Sequence, residues 1–207
     1  MRKVFLVLAS VFALNASNAQ TSFGIHAEGI SASQTYKING ISFSPSSRFS
    51  WKAGLVANAP LSEQISFMPQ LNLVSKGSKF DVQGEKSTTK LTYLELPLNL
   101  VYNSDGFFAG LGPVLSYGIG GKITDDVESV DVKFDGKKEA EVTDDNAHLK
   151  AFEFGGNIIA GYKLQSGLFF NVHYNIGFSN ISPDTEGTAK NKYLGFGIGY
   201  FFGGSSK

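Results

Sequence analysis

The chain contains no cysteine, one tryptophan and two methionines, and its eighteen basic side chains are matched by eighteen acidic ones. Without cysteine there are no disulfides and no thiolate metal sites. Without net positive charge there is no basic stripe to displace counterions, so no nucleic-acid partner is expected. After residue 20 no apolar run approaches the roughly 18 to 20 residues that a membrane-spanning helix requires. Signatures of chemistry are missing as well. There is no Gly-x-Ser-x-Gly nucleophile turn and no Asp-x-Asp-x-Asp-Gly calcium loop with its distant glutamate.

Glycine and phenylalanine are abundant instead, with 24 and 18 residues among 207. An interior glycine costs a helix about 1 kcal/mol relative to alanine, so this composition suits close-packed β structure better.

The first residues bear on destination. Arg2 and Lys3 form a positive start, Val4 to Leu14 an apolar stretch, and Asn15 to Ala19 a polar end. Ser17 and Ala19 are the small residues a signal peptidase needs, and eleven residues are too few to span a bilayer. The expectation is an exported chain with a signal peptide at 1–19, cleavage before Gln20, and one domain at 20–207.

Within that domain eight segments repeat as apolar at every second residue, the period of a strand. Phe23, Ile25 and Ala27 alternate with Gly24, His26 and Glu28. Phe49, Trp51, Ala53, Leu55 and Ala57 alternate with Ser50, Lys52, Gly54, Val56 and Asn58. Ile65 to Val74 and Tyr93 to Tyr102 follow, the latter setting Leu94, Leu96, Leu98 and Leu100 against Glu95, Pro97 and Asn99. The last four are Phe107 to Ile119, Glu153 to Tyr162, Leu168 to Gly177 and Leu194 to Phe202. Each alternating stretch is about 9 to 13 residues, longer than a soluble strand and matched to a tilted bilayer crossing. Their second faces carry glycine, serine, asparagine and charges of both signs, the wrong lining for a soluble core. An apolar exterior around a polar lumen is the membrane-barrel arrangement.

Connections alternate too. Residues 60–63, 103–106 and 165–167 are tight turns, whereas 31–48, 75–90, 120–150 and 179–190 read as long loops. The expected fold is all-β: an eight-stranded antiparallel up-and-down transmembrane barrel with short periplasmic turns and long extracellular loops. That topology puts Tyr102, Tyr162 and Tyr200 on the outer face near the periplasmic ends. Trp51 and Tyr117 fall on the outer face near the extracellular ends, so the five aromatics mark both membrane interfaces.

The run from Trp51 through Asn58-Ala59-Pro60 to Gln70-Leu71 is one distinctive string, followed by Ser75-Lys76-Gly77. Tyr93-Leu94-Glu95-Leu96-Pro97-Leu98 is the most specific, with Gly110 to Pro113 and Gly161-Tyr162 adding to it. Across essentially the whole mature chain the sequence resembles the PorT-like outer-membrane β-barrel family, the porin-family or OmpA/OmpX-like eight-stranded barrels. The resemblance implies that fold, a bacterial outer-membrane location, outer-membrane lipids as surroundings, and insertion by the barrel assembly machinery. It implies no activity. One departure is the end, where Tyr200-Phe201-Phe202 is followed by Gly203 to Lys207 instead of stopping on an aromatic.

Inward positions hold the candidate site residues: Lys52, Glu95, Asn99, Glu153, Asn157, Asn171 and His173, with Glu28 and His26. Eight strands enclose space just wide enough for side chains, so opposite charges there should pair. Inward glycines of the fifth, sixth and eighth strands are expected to admit larger side chains from the opposite wall. A structural or surface-interaction role is the leading expectation. A narrow pore or transporter is the alternative, and a lipid-modifying enzyme built on His173 a lesser one. No catalytic residue, cofactor or metal site is assigned. Loop 120–150 holds nine of the eighteen acids and carries a net charge of −5 over 120–149. Val130, Val132 and Phe134, then Asp135-Gly136, then Ala140 and Val142 read as a projecting hairpin, a candidate surface for a partner protein or a cation.

Overall fold

A computed structural model describes residues 21–38, 40–82, 85–184 and 187–202. The expected signal peptide and the tail at Gly203–Lys207 lie outside the described residues.

Eight long strands form the wall: β1 (Ser22–Ile38), β3 (Arg48–Pro60), β4 (Ile65–Val82), β5 (Glu85–Ser104), β6 (Phe107–Thr124), β9 (Phe152–Lys163), β10 (Leu168–Gly177) and β11 (Gly187–Phe202). Three short strands, β2 (Ile41–Phe43), β7 (Ser129–Lys133) and β8 (Ala147–His148), decorate its rim. Each long strand pairs antiparallel with its neighbours in sequence, and β1 pairs with β11 from Phe23↔Phe202 to Ile38↔Gly187. The sheet therefore closes on itself with no free edge in the ring, the condition for a β structure to cross lipid.

Turn chemistry fixes one end. Ser104 pairs with Phe107, leaving only Asp105 and Gly106 between strands, both at positive φ. Asp-Gly is the pair that tolerates such a two-residue hairpin turn. Four-residue connections join β3 to β4 and β9 to β10 at the same end.

The other end departs from expectation. Strand lengths run from 10 to 20 residues, and β4 with β5 stays paired as far as Val82↔Glu85. Much of what reads as loop at 31–48 and 75–90, and the last residues of 179–190, is thus strand standing above the hydrocarbon layer. Its outward residues no longer meet hydrocarbon, so the apolar alternation stops although the ladder continues.

Outward columns are apolar and exposed, including Leu94, Leu100, Leu111, Ile158, Phe196 and Ile198. Trp51, Tyr102, Tyr117, Tyr162 and Tyr200 all lie on this exposed face. Tyr102, Tyr162 and Tyr200 sit beside the short turns, since Tyr162 pairs with Phe107 and Tyr200 with Leu168. One irregularity interrupts the wall: Tyr93 pairs with Gly118 and Thr92 with Gly120, so Ile119 is an extra residue. Such a bulge reverses which residues of β6 point outward beyond it.

Candidate functional site

The middle of the lumen is a closed network of charge. Lys52 of β3 and Glu28 of β1 are direct cross-strand partners, and Lys52 Nζ lies 3.2 Å from Glu28 Oε2. The other Glu28 oxygen is 2.7 Å from His26 Nδ1 and accepts a bond from Asn171 Nδ2 at 3.2 Å. His173 Nδ1 stands 2.9 Å from Glu28 Oε2, and His173 Nε2 is 3.3 Å from Lys52 Nζ. His26 Nε2 faces Asn72 Oδ1 at 2.8 Å.

A second centre lies beside the first. Lys76 Nζ is 2.8 Å from Glu95 Oε2 and 2.9 Å from Glu153 Oε1, and donates to Ser116 Oγ at 3.1 Å. Tyr193 donates its hydroxyl to Glu95 Oε1, and Asn191 Nδ2 donates to Glu153 Oε2 at 2.5 Å. Lys76 also sits over the Tyr93 and Tyr193 rings at 4.8 and 5.7 Å. These rings bring partial negative charge to a cation that is only 1% exposed. Glu28, Lys52, Lys76, Glu95, Glu153 and His173 are each no more than 6% exposed. Asn99 and Asn157 form a further buried pair, Asn157 Nδ2 donating to Asn99 Oδ1 at 3.0 Å.

Glycine makes room for this packing. Gly195 is the cross-strand partner of His173 and Gly197 that of Glu28, and a Cβ at either would strike that partner's side chain. The larger groups therefore enter from flanking strands β10 and β1, not from the opposite wall as the composition suggested. Neighbour pairing of large with small is what a narrow barrel allows.

The lumen is not polar throughout, a second correction. Towards the short turns Val56, Met68, Val101, Phe108, Ile159, Phe169 and Phe201 form a buried apolar cluster. Phe169 stacks within 4.8 Å of Phe201. Towards the long loops a second cluster joins Ile30, Val74, Leu91, Tyr93 and Tyr193 to Val132 and Ile181 from the loops. The charges thus lie between two apolar plugs.

Residues 125–150 form the outer lid, and not as the expected hairpin. β6 continues to Thr124, and the chain reverses where Asp125 accepts bonds from the backbone N–H of Val127 and Glu128 at 2.9 and 2.8 Å. These two bonds hold the Asp125 carboxyl below its usual range. β7 then returns along β6, and Phe134 turns inward to pack 5.2 Å from Tyr93 beside Gly118. Having gone inward, the chain at Asp135-Gly136 crosses the mouth instead of pairing back on β7. β8 joins β7 in parallel. His148 is clamped there, Nδ1 2.7 Å from Asp135 Oδ1 and Nε2 3.1 Å from Asp144 Oδ1. Lys133 holds Asp144 from the other side at 2.6 Å. Hydrogen bonds to Asp135 and then Asp144 raise the His148 pKa, and both carboxyls titrate below their ordinary range. Among the described residues no group of three His, Asp or Glu side chains is arranged to hold a metal ion.

Every inward residue singled out from sequence is buried in this lumen. Lys76, Tyr93, Tyr193, Asn72 and Asn191 were missed as members. A closed barrel, apolar outside, is the form in which β structure spans lipid, and the sequence comparison agrees. The model of the outer membrane protein beta-barrel domain family matches residues 11–182. The chain belongs to that family. It is a protein of the bacterial outer membrane.

No curated protein matches the chain in sequence. Among solved structures it is similar to Ail, the attachment invasion locus protein of Yersinia pestis, at 11% identity, covering 87% of this chain and 99% of that one with a TM-score of 0.45. Neisserial surface protein A is similar at 11% identity, 87% and 97% coverage and a TM-score of 0.48. OprG from Pseudomonas aeruginosa is similar at 13% identity, 87% and 96% coverage and a TM-score of 0.34.

Proposed function

We propose that this barrel conducts nothing and catalyses nothing, and that it serves as a rigid mount for an extracellular interaction surface. The observation that carries this reading is the filled lumen. The charges of Glu28 with Lys52 and of Lys76 with Glu95 and Glu153 pair with one another, and Arg48 donates to Ser75. An apolar plug of Phe108, Phe169 and Phe201 closes one side while Phe134 and Tyr93 close the other. A hydrated path would need both plugs to part. His173, the one histidine that suggested lipid chemistry, is only 2% exposed and has no route to a substrate.

Within the family, the Tyr93–Leu98 string supports a PorT-like assignment. The acidic lid at 125–150 supports a basic partner outside the cell. Export with cleavage before Gln20 belongs to the same reading.

Planar-bilayer recording on purified, refolded protein tests it. No unitary conductance above the lipid baseline is expected, whereas stable open channels would overturn the plugged reading in favour of a pore.

A further inference from the structure

The outer surface carries a feature that the plugged lumen does not use. Lys90 of β5 and Lys122 of β6 are direct cross-strand partners on the outward face. Like charges directly opposite one another destabilise a sheet. Among the described residues the exposed Lys90 side chain has no hydrogen bond or ion pair, and that of Lys122, also exposed, has only Asp131 at 3.5 Å. Lys79 of β4, also exposed, pairs with Thr88 on the same outward face, just beyond Lys90.

Depth gives this cluster its meaning. Twelve residues along β5 separate Tyr102, at the periplasmic rim, from Lys90. At about 3.3 Å per residue and a tilt near 40°, that spans roughly 30 Å along the barrel axis, the thickness of the hydrocarbon layer. The outward column between them is Leu100, Leu98, Leu96, Leu94 and Thr92. Lys90 and Lys122 therefore stand at the headgroups of the outer leaflet.

Beside them is a groove of about 560 Å³ between β6 and β7, floored by Tyr117, Ile119 and Gly120 and rimmed by Lys133 and Asp135. The bulge at Ile119 creates it. It keeps Tyr117 and Ile119 facing lipid while turning Lys122 outward next to Lys90, and Gly120 leaves open space where a side chain would stand.

We infer that this face binds a phosphorylated glycolipid of the outer leaflet. Its phosphate bridges Lys90 and Lys122, its sugar lies over Gly120, and an acyl chain runs down past Ile119 and Tyr117. An anion between the two lysines removes their repulsion, and the apolar floor continues directly into the lipid-facing belt. Both demands are met by one molecule that is anionic at the head and oily below. The inference does not depend on whether the lumen conducts.

The test uses the full barrel in nanodiscs and native mass spectrometry. The probe is a bis-phosphorylated, multiply acylated glucosamine disaccharide, compared with its dephosphorylated form. Retention of the phosphorylated probe is expected, with about fivefold loss for each lysine removed, so that K90Q with K122Q weakens it by an order of magnitude or more. The pair K37Q with K192Q, lysines of β1 and β11, should change it little. Equal retention of the dephosphorylated probe, an unaffected K90Q/K122Q variant, or an equal loss in K37Q/K192Q would each overturn the site. So would displacement of the probe by inorganic phosphate at matched concentration, which would assign the lysines to a free ion. Should K90Q/K122Q fail to fold, the wild-type protein is labelled with a probe bearing a photoreactive acyl chain. Adducts on the Tyr117–Gly120 peptide support the site, and adducts confined to other strands refute it.

Discussion

Lys76 reaches Glu153 at 2.9 Å from a strand three places away round the barrel wall, so one ammonium ties β4 to β9 across the lumen. With its second bond to Glu95 it is the cation on which two buried carboxylates depend.

Removing that cation should therefore cost more than removing the whole cluster. Lys76→Met leaves Glu95 and Glu153 facing each other, and breaking a buried pair this way costs about 3–5 kcal/mol. Adding Glu95→Gln and Glu153→Gln to Lys76→Met should recover much of the loss. Urea unfolding in lipid vesicles reads both, and a triple variant no more stable than the single one would contradict the assignment.

The outward face makes a different demand. Leu98→Arg puts a charge among lipid-facing leucines, at about 2–4 kcal/mol near the bilayer midplane and less towards its edges. The heat-modifiable, folded fraction on gels should fall. An undiminished folded fraction would mean that Leu98 does not face lipid.

Gly195 is constrained by a neighbour and not by its own backbone. A methyl group there runs into the His173 ring, so Gly195→Ala should destabilise by about 1–3 kcal/mol through overpacking. Gly120→Ala, where nothing lies within 4 Å, should be near neutral in the same unfolding assay.

The lid should respond to pH. Because the His148 pKa is raised, its bonds to Asp135 and Asp144 stabilise the lid fully below the ordinary imidazole value of 6.5 and are lost as pH climbs through the raised value. Because both carboxyls are lowered, their contribution is present above 3.8 and lost as pH falls through the lowered values. The lid is therefore most ordered between about pH 4 and 6.5. A spin label at Val142 should gain mobility above that window in the wild type. In His148→Gln this pH response should vanish, and a variant that kept it would place the switch elsewhere.

How much of this was legible in the chain depended on what lay outside each strand. Lipid demands an apolar residue at every second position, so Leu94, Leu96, Leu98 and Leu100 announced both the strand and its orientation. Glu95 and Lys52 were then readable as inward. Lys76 was hidden because its neighbours Ser75, Gly77 and Lys79 are not apolar, so no alternation marks it as inward. The ladder to Thr89 and Lys90 continues there without any contrast between faces.

The plugs were concealed for the opposite reason. Phe201 is buried between exposed Tyr200 and Phe202, and an unbroken aromatic run carries no alternation. The lid was misread because Asp135-Gly136 looks like a hairpin turn. What decides the path is tertiary: Phe134 packs on Tyr93, and that contact turns the chain inward before Asp135-Gly136.

The continuous β4–β5 ladder has one more consequence. A strand pair of nearly twenty residues outreaches the bilayer, so what projects from the cell is parapet and not tether. A visiting molecule meets a surface already in its final shape and surrenders little chain entropy in docking. Association there should show a small heat-capacity change, and peptides copied from single rim segments should compete poorly with the intact wall.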